Sequence, residues 1–134
     1  MAKITDEMKD IASKAKGWAV ATATRDGMPN VVPIGAASVL SENQILLMDN
    51  FMKKTVENIK ANPRVAISVW DMRDMKGYQF KGKARIETSG KVFDEGVQMV
   101  KSIMPQLTPK AAVIVDVEEI YVITPGHNAG KLVS

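Results

Sequence analysis

Residues 49–70 read Asp49-Asn50-Phe51-Met52-Lys53-Lys54-Thr55-Val56-Glu57-Asn58-Ile59-Lys60-Ala61-Asn62-Pro63-Arg64-Val65-Ala66-Ile67-Ser68-Val69-Trp70. Asp49 closes a strand, and Asn50-Phe51 form a polar corner. Met52 to Ala61 predicts a short helix. Asn62-Pro63 stops it, because the residue before proline avoids helical angles. Arg64 to Trp70 is a second strand. Lys53, Lys54 and Thr55 stand where the first amides of the helix have no intrahelical partner. Lysine is mildly unfavourable at the positive end of a helix dipole. Two lysines beside a hydroxyl and free amides instead make an anion site, and a phosphate group suits such donors. The competing reading is a solvated first turn capped by Asp49 or Asn50. No GxxxxGK occurs, so this is not a Walker loop.

Upstream, Gln44 to Asp49 is a strand entered through the turn Ser41-Glu42-Asn43. Val31 to Leu40 predicts another strand, interrupted by Pro33 and Gly35. A proline there implies an edge, a bulge or a place where the ladder opens. At such an opening main-chain groups face something other than a neighbouring strand, and a flat ring can lie against them. Arg25-Asp26-Gly27-Met28-Pro29-Asn30 carries turn chemistry, and Trp18 to Thr24 is a strand rich in small and β-branched residues. Thr5 caps a first helix to about Ala15, with Met8, Ile11, Ala12 and Ala15 at helical spacing and Gly17 beyond it.

Downstream, Asp71 to Lys76 is a charged loop. From Gly77 to Glu87 the chain alternates, Tyr78, Phe80, Gly82, Ala84 and Ile86 against Gln79, Lys81, Lys83, Arg85 and Glu87. That is a half-exposed strand. Ser89 opens a helix containing Val92, Phe93, Val97, Val100 and Met104. Val113 to Ile123 is the last strand, and His127 to Ser134 predicts an irregular tail. Six or seven strands with mostly short connections pair antiparallel. The expected fold class is mainly β with helices (α+β), a six-stranded antiparallel barrel or split barrel in a single domain over residues 1–134.

Composition limits the function. The chain has 134 residues, 46% hydrophobic and 25% charged, as in an ordinary globular domain. The net charge of +3 is spread from Lys3 to Lys131 without a basic block, so nucleic acid is not an expected partner. The absence of cysteine excludes disulfides, iron–sulfur clusters and thiol nucleophiles. One histidine, His127, leaves no multi-histidine metal site; it reads as a surface residue, and no metal is expected. Met1 to Lys16 is charged throughout, and no apolar run approaches the roughly 20 residues of a membrane span. A cytoplasmic location away from membranes is the expectation.

Few side chains offer catalysis. Glu118 and Glu119 are adjacent in a strand, which predicts opposite faces and no hydrolase dyad. Asp71 and Asp74 read as solvated. Trp18, Trp70, Tyr78, Phe80 and Tyr121 lie in strands and read mostly as core. Gln79, opposite Tyr78 and Phe80, is a candidate polar ligand contact. With no nucleophile and base in sight, the catalytic residues are unknown, and any reaction falls to a cofactor.

Together these motifs resemble the FMN-binding split-barrel superfamily, the pyridoxamine 5′-phosphate oxidase-like proteins. Nearly the whole chain takes part: Pro29-Asn30-Val31-Val32-Pro33-Ile34, the segment from Asp49 to Ala66, Gly77-Tyr78-Gln79-Phe80-Lys81-Gly82-Lys83-Ala84, and Glu119-Ile120-Tyr121 through Thr124-Pro125-Gly126 to Ala129-Gly130. The resemblance implies a homodimer with FMN at the interface. It implies Lys54 and Thr55, helped by Lys53, on the phosphate. The backbone at Val32, Pro33, Ile34 and Gly35 would face the ring, Asp49 and Asn50 would lie beside the ribityl chain or ring edge, and Gln79 would reach the cofactor from a neighbouring strand. The Pro125-Gly126 tail would complete the partner's pocket. True pyridoxamine-phosphate oxidases are longer and carry a second phosphate cluster that this chain lacks. The implied activity is electron passage between a small-molecule donor and acceptor. The alternatives are a non-catalytic flavin carrier, or the same barrel loaded with deazaflavin or haem.

Overall fold

In chain order the elements are α1 (Asp6–Lys14), β1 (Trp18–Ala23), β2 (Pro29–Ile34), β3 (Ala37–Ser41), β4 (Gln44–Asp49), α2 (Lys54–Ala61), β5 (Arg64–Asp71), β6 (Lys76–Glu87), α3 (Lys91–Ile103) and β7 (Ala111–Val122). The computed structural model describes residues 2–134. All strand pairs are antiparallel, in one sheet of order β2-β1-β5-β6-β7-β4-β3.

The segment read as one strand from Val31 to Leu40 is two. β2 pairs with β1, Ile34 opposite Trp18. β3 pairs with β4, Ala37 opposite Leu47. Only Gly35 and Ala36 join them, yet they form the two opposite edges of the sheet. Three Cα steps of 3.8 Å span at most about 11 Å. The sheet therefore curls until its edges almost meet, leaving a seam between β2 and β3. Pro33 lacks the amide that a central strand needs, and the partner switch makes seven strands where six were expected.

Inside the curl lies the main core, with Val20, Ile45, Leu47, Ile67, Phe80, Val113 and Ile120 fully buried. A side chain such as Phe80 contributes about 1.5–3 kcal/mol on such burial. α1 adds Met8, Ile11 and Ala12 to this core. Its start is held as the sequence implied: Thr5 Oγ1 accepts from the Met8 amide at 3.3 Å, and Met8 sulfur accepts from the Thr5 amide at 3.4 Å. Outside the curl, Leu46, Met48, Ala112 and Ile114 pack with Val92, Phe93, Val97 and Val100 of α3. Both faces of β4 and β7 are covered, which accounts for the unbroken apolar run from Ala111 to Val115.

A bulge interrupts β6 and β7. Lys81 faces Glu119, but Gly82 faces Val117, leaving Glu118 as the extra residue. Glu118 and Glu119 are both exposed and border one groove beside Arg64 and Lys81. Their expected opposition is thus lost, because a bulge breaks the alternation of side chains. The tail is also more ordered than its composition implied. Leu132 bridges Tyr121, the Val133 amide donates to Ile120 O at 2.8 Å, and the Ile120 amide donates to Ser134 O at 2.9 Å. It occupies the side of β7 that β4, which ends opposite Ala111, Ala112 and their neighbours to Asp116, leaves free. Among the described residues no helix is long and apolar enough to cross a membrane.

Candidate functional site

A cavity of about 420 Å³ opens at the seam. Val32 to Ala36 line one side, Met48 the floor, and the corner Asn50 to Thr55 the other side. Its volume lies within the range of small-molecule and cofactor sites, about 300–1,000 Å³. The corner leaves β4, crosses the seam, and delivers α2 against β1 and β2. The sequence-predicted groups Val32, Pro33, Ile34, Gly35, Asn50, Lys53, Lys54 and Thr55 thus share one wall-to-wall space.

α2 starts without a side-chain cap. Lys53 is the cap residue, in a non-helical conformation, its side chain makes no capping hydrogen bond, and among the described residues no side chain accepts from the first amides. The amides of Lys54, Thr55 and Val56 therefore have no intrahelical partner. Asp49 and Asn50 do not cap the helix. Asp49, 4% exposed, instead accepts from the Met52 amide at 2.8 Å and lies 3.7 Å from Lys110 Nζ. Lys110 also donates to Met52 O at 3.3 Å and, through its amide, to Asp49 O at 2.7 Å. Asp49 thus shapes the corner from behind and is not part of the cavity lining.

Asn50 Oδ1 is buried and, among the described residues, has no hydrogen-bond partner. An acceptor left so in a cavity wall is costly unless a donor reaches it, about 1–3 kcal/mol. Thr55 is 1% exposed, yet it lines the cavity. Lys54 Nζ forms an exposed ion pair with Glu57 at 3.3 Å, an interaction worth at most about 1 kcal/mol and easily redirected. Lys53 is exposed. These groups, one uncapped helix start, one hydroxyl and two cations as donors with one orphaned acceptor beside them, fit a phosphorylated ligand that also carries hydrogen-bond donors.

Gln79 lies elsewhere. It stands on β6 between Ser68 of β5 and Tyr121 of β7, and does not line the cavity. His127 is exposed in the tail. Among the described residues no group of three or more His, Cys, Asp or Glu is placed to hold a metal ion.

Beneath Thr55 lies a polar cluster that the sequence does not announce. Asn30 Nδ2 donates to Thr55 Oγ1 and to Thr22 Oγ1, both at 3.3 Å, and Asn58 Nδ2 donates to Thr22 Oγ1 at 3.0 Å. Thr22 and Asn58 are 4% and 5% exposed. The only sequence signal was polarity at Thr22 and Asn58 on otherwise apolar, inward-facing positions.

A family model described as pyridoxamine 5′-phosphate oxidase matches residues 4–124. The chain belongs to the pyridoxamine 5′-phosphate oxidase family. An uncharacterized protein of Methanocaldococcus jannaschii is 38% identical over 134 residues, covering 98% of this chain and 89% of that one. Among solved structures, HupZ of Group A Streptococcus is 30% identical with a TM-score of 0.83, covering 95% of this chain and 99% of its own. An FMN-binding protein from Syntrophomonas wolfei has a TM-score of 0.79 at 14% identity, covering 90% and 89%. The fold also recurs in an F420 reductase (TM-score 0.68, 17% identity, 87% and 98% covered) and in HutZ, the haem storage protein of Vibrio cholerae (0.68, 18%, 90% and 94%). These last three likenesses establish the fold alone. The same fold thus occurs in an FMN-binding protein, an F420 reductase and a haem storage protein.

Proposed function

We propose that this chain binds FMN in the seam cavity and, as a homodimer, passes electrons between a reduced small-molecule donor and a small acceptor. The observation that carries the reading is the uncapped start of α2, with Thr55 beside it, opening into the same cavity as the orphaned Asn50 Oδ1. Bound FMN supplies the redox chemistry, because its ring system takes up and gives back electrons. The chain's own residues hold and orient it. The amides of Lys54, Thr55 and Val56 and the Thr55 hydroxyl face the phosphate. Lys54 turns from Glu57 to the anion, and Lys53 adds charge. Asn50 Oδ1 accepts a hydrogen from the ribityl chain or the ring edge. Val32 to Ile34 on the edge strand β2, and Gly35 in the link that follows it, present main chain to the ring.

Exposed apolar groups at the rim support assembly. Phe51 is 77% and Val31 66% exposed in the single chain, an arrangement suited to cover by a second copy. In that assembly Gln79, which does not line its own cavity, serves the partner's. Haem is less well supported, because His127, the one histidine, is exposed in the tail and does not line the cavity.

The test is reconstitution of the purified protein with FMN, F420-type deazaflavin and haem in parallel, followed by visible absorbance and sedimentation. Stoichiometric FMN binding to a dimer is expected. A folded protein that leaves micromolar FMN free but takes haem or the deazaflavin would overturn the reading. Turnover with reduced nicotinamide donors then separates an oxidoreductase from a flavin carrier.

A further inference from the structure

The Thr22–Asn30–Thr55–Asn58 cluster has a direction. Both hydrogens of the Asn30 amide are used, one on Thr22 Oγ1 and one on Thr55 Oγ1. A hydroxyl has one hydrogen to give and two lone pairs. Thr55 Oγ1 already accepts from Asn30, and among the described residues nothing accepts its hydrogen. Thr55 is almost fully buried and lines the cavity. Its hydrogen is therefore left for an acceptor that arrives with the ligand.

We propose that Asn30 is a positioning residue that makes the Thr55 hydroxyl a dedicated donor to the anionic end of the ligand. This rests on the phosphate reading above and deepens it. Asn58 serves the arrangement at one remove. By donating to Thr22, it occupies a Thr22 lone pair, and with the Asn30 donation it leaves Thr22 no capacity to accept the Thr55 hydrogen. A hydroxyl polarised by an incoming hydrogen bond is a better donor in turn, since chained hydrogen bonds strengthen one another. A site built this way favours a ligand with a phosphate over the same ligand without one.

The experiment compares FMN with riboflavin, which differ by the phosphate alone. Affinities for both are measured in wild type, Asn30→Ala, Thr55→Val and the double variant, with thermal unfolding to verify the fold. Wild type is expected to prefer FMN. Asn30→Ala is expected to cut that preference roughly tenfold while riboflavin affinity stays put, and to have no further effect once Thr55 is Val. Asn30→Asp keeps the size and reverses the hydrogen bond, so that Thr55 donates to the new carboxylate; it too is expected to lose the preference. Undiminished preference in Asn30→Ala and Asn30→Asp would overturn the proposal, as would an Asn30→Ala loss that persists in full beside Thr55→Val. A wild-type protein that binds riboflavin as tightly as FMN would instead remove the phosphate reading, and this inference with it.

Discussion

Ile34 and Ala37 are three positions apart in the chain and lie on opposite edges of a seven-stranded sheet, one paired with Trp18 and the other with Leu47. The link between them borders the cavity. Gly35 does not have a positive φ, and a Cβ there would meet no atom within 4 Å. Gly35→Ala should leave stability within about 0.5 kcal/mol. Gly35→Val should also fold but should weaken flavin binding roughly tenfold, about 1.4 kcal/mol. Denaturant unfolding beside a flavin titration checks both, and an unstable but ligand-competent Gly35→Val would contradict the assignment of Gly35 to the cavity wall.

At the corner, Lys54→Ala should weaken FMN by about 1.5–3 kcal/mol, the worth of a charge-assisted hydrogen bond, and riboflavin much less. The present Lys54–Glu57 pair is exposed and costs little to break. Equal losses for the two ligands would show that Lys54 does not touch the phosphate.

Much of this corner was readable in residues 49–70, because two lysines at a helix start conflict with the dipole and the conflict is visible in one dimension. Pro33 and Gly35 likewise announced an opened ladder. What stayed hidden was which strands met across it, since β2 and β3 find their partners through contacts far apart in sequence. The Asn30 cluster was hidden for the same reason: Thr22, Asn30, Thr55 and Asn58 come from three elements that only the closed sheet assembles. Glu118 and Glu119 misled because the bulge depends on Gly82 across the ladder and not on their own neighbours.

The Asp49 carboxylate holds the corner from behind. Asp49→Ala removes the acceptor of the Met52 amide and the neighbour of Lys110, and should destabilise the fold by about 1.5–3 kcal/mol. Asp49→Asn keeps an oxygen for that amide and should cost less. Urea unfolding of the two variants ranks them; the reverse order would mean that the hydrogen bond to Met52 is not what matters.

Gly82 is required by the bulge. A Cβ there would collide with the main-chain carbonyl of Asp116, and backbone in a paired strand has no room to retreat. Gly82→Ala should therefore cost about 3 kcal/mol, the upper end for overpacking. Thermal unfolding measures it against Gly35→Ala; similar midpoints for the two would refute the close approach.

Tyr78 ties β6 to α1, its phenol donating to Glu7 Oε1 at 3.1 Å. Burial first, then the hydrogen bond and charge of Glu7, raises its pKa above the ordinary phenol value. The sign follows from linkage. Below about pH 10 the phenol is protonated in both folded and unfolded chains, and its contribution is complete. Above that, the unfolded chain releases the proton first, so stability falls as pH climbs toward the folded value. Tyr78→Phe cannot titrate, and its stability deficit relative to wild type should shrink as pH rises from about 9 to 11. Tyr121, raised by burial and by Glu119, titrates in both proteins and cancels in the difference. Urea unfolding of the pair across this window decides the matter: a constant deficit would mean that the Glu7 contact does not distinguish the folded phenol from the unfolded one.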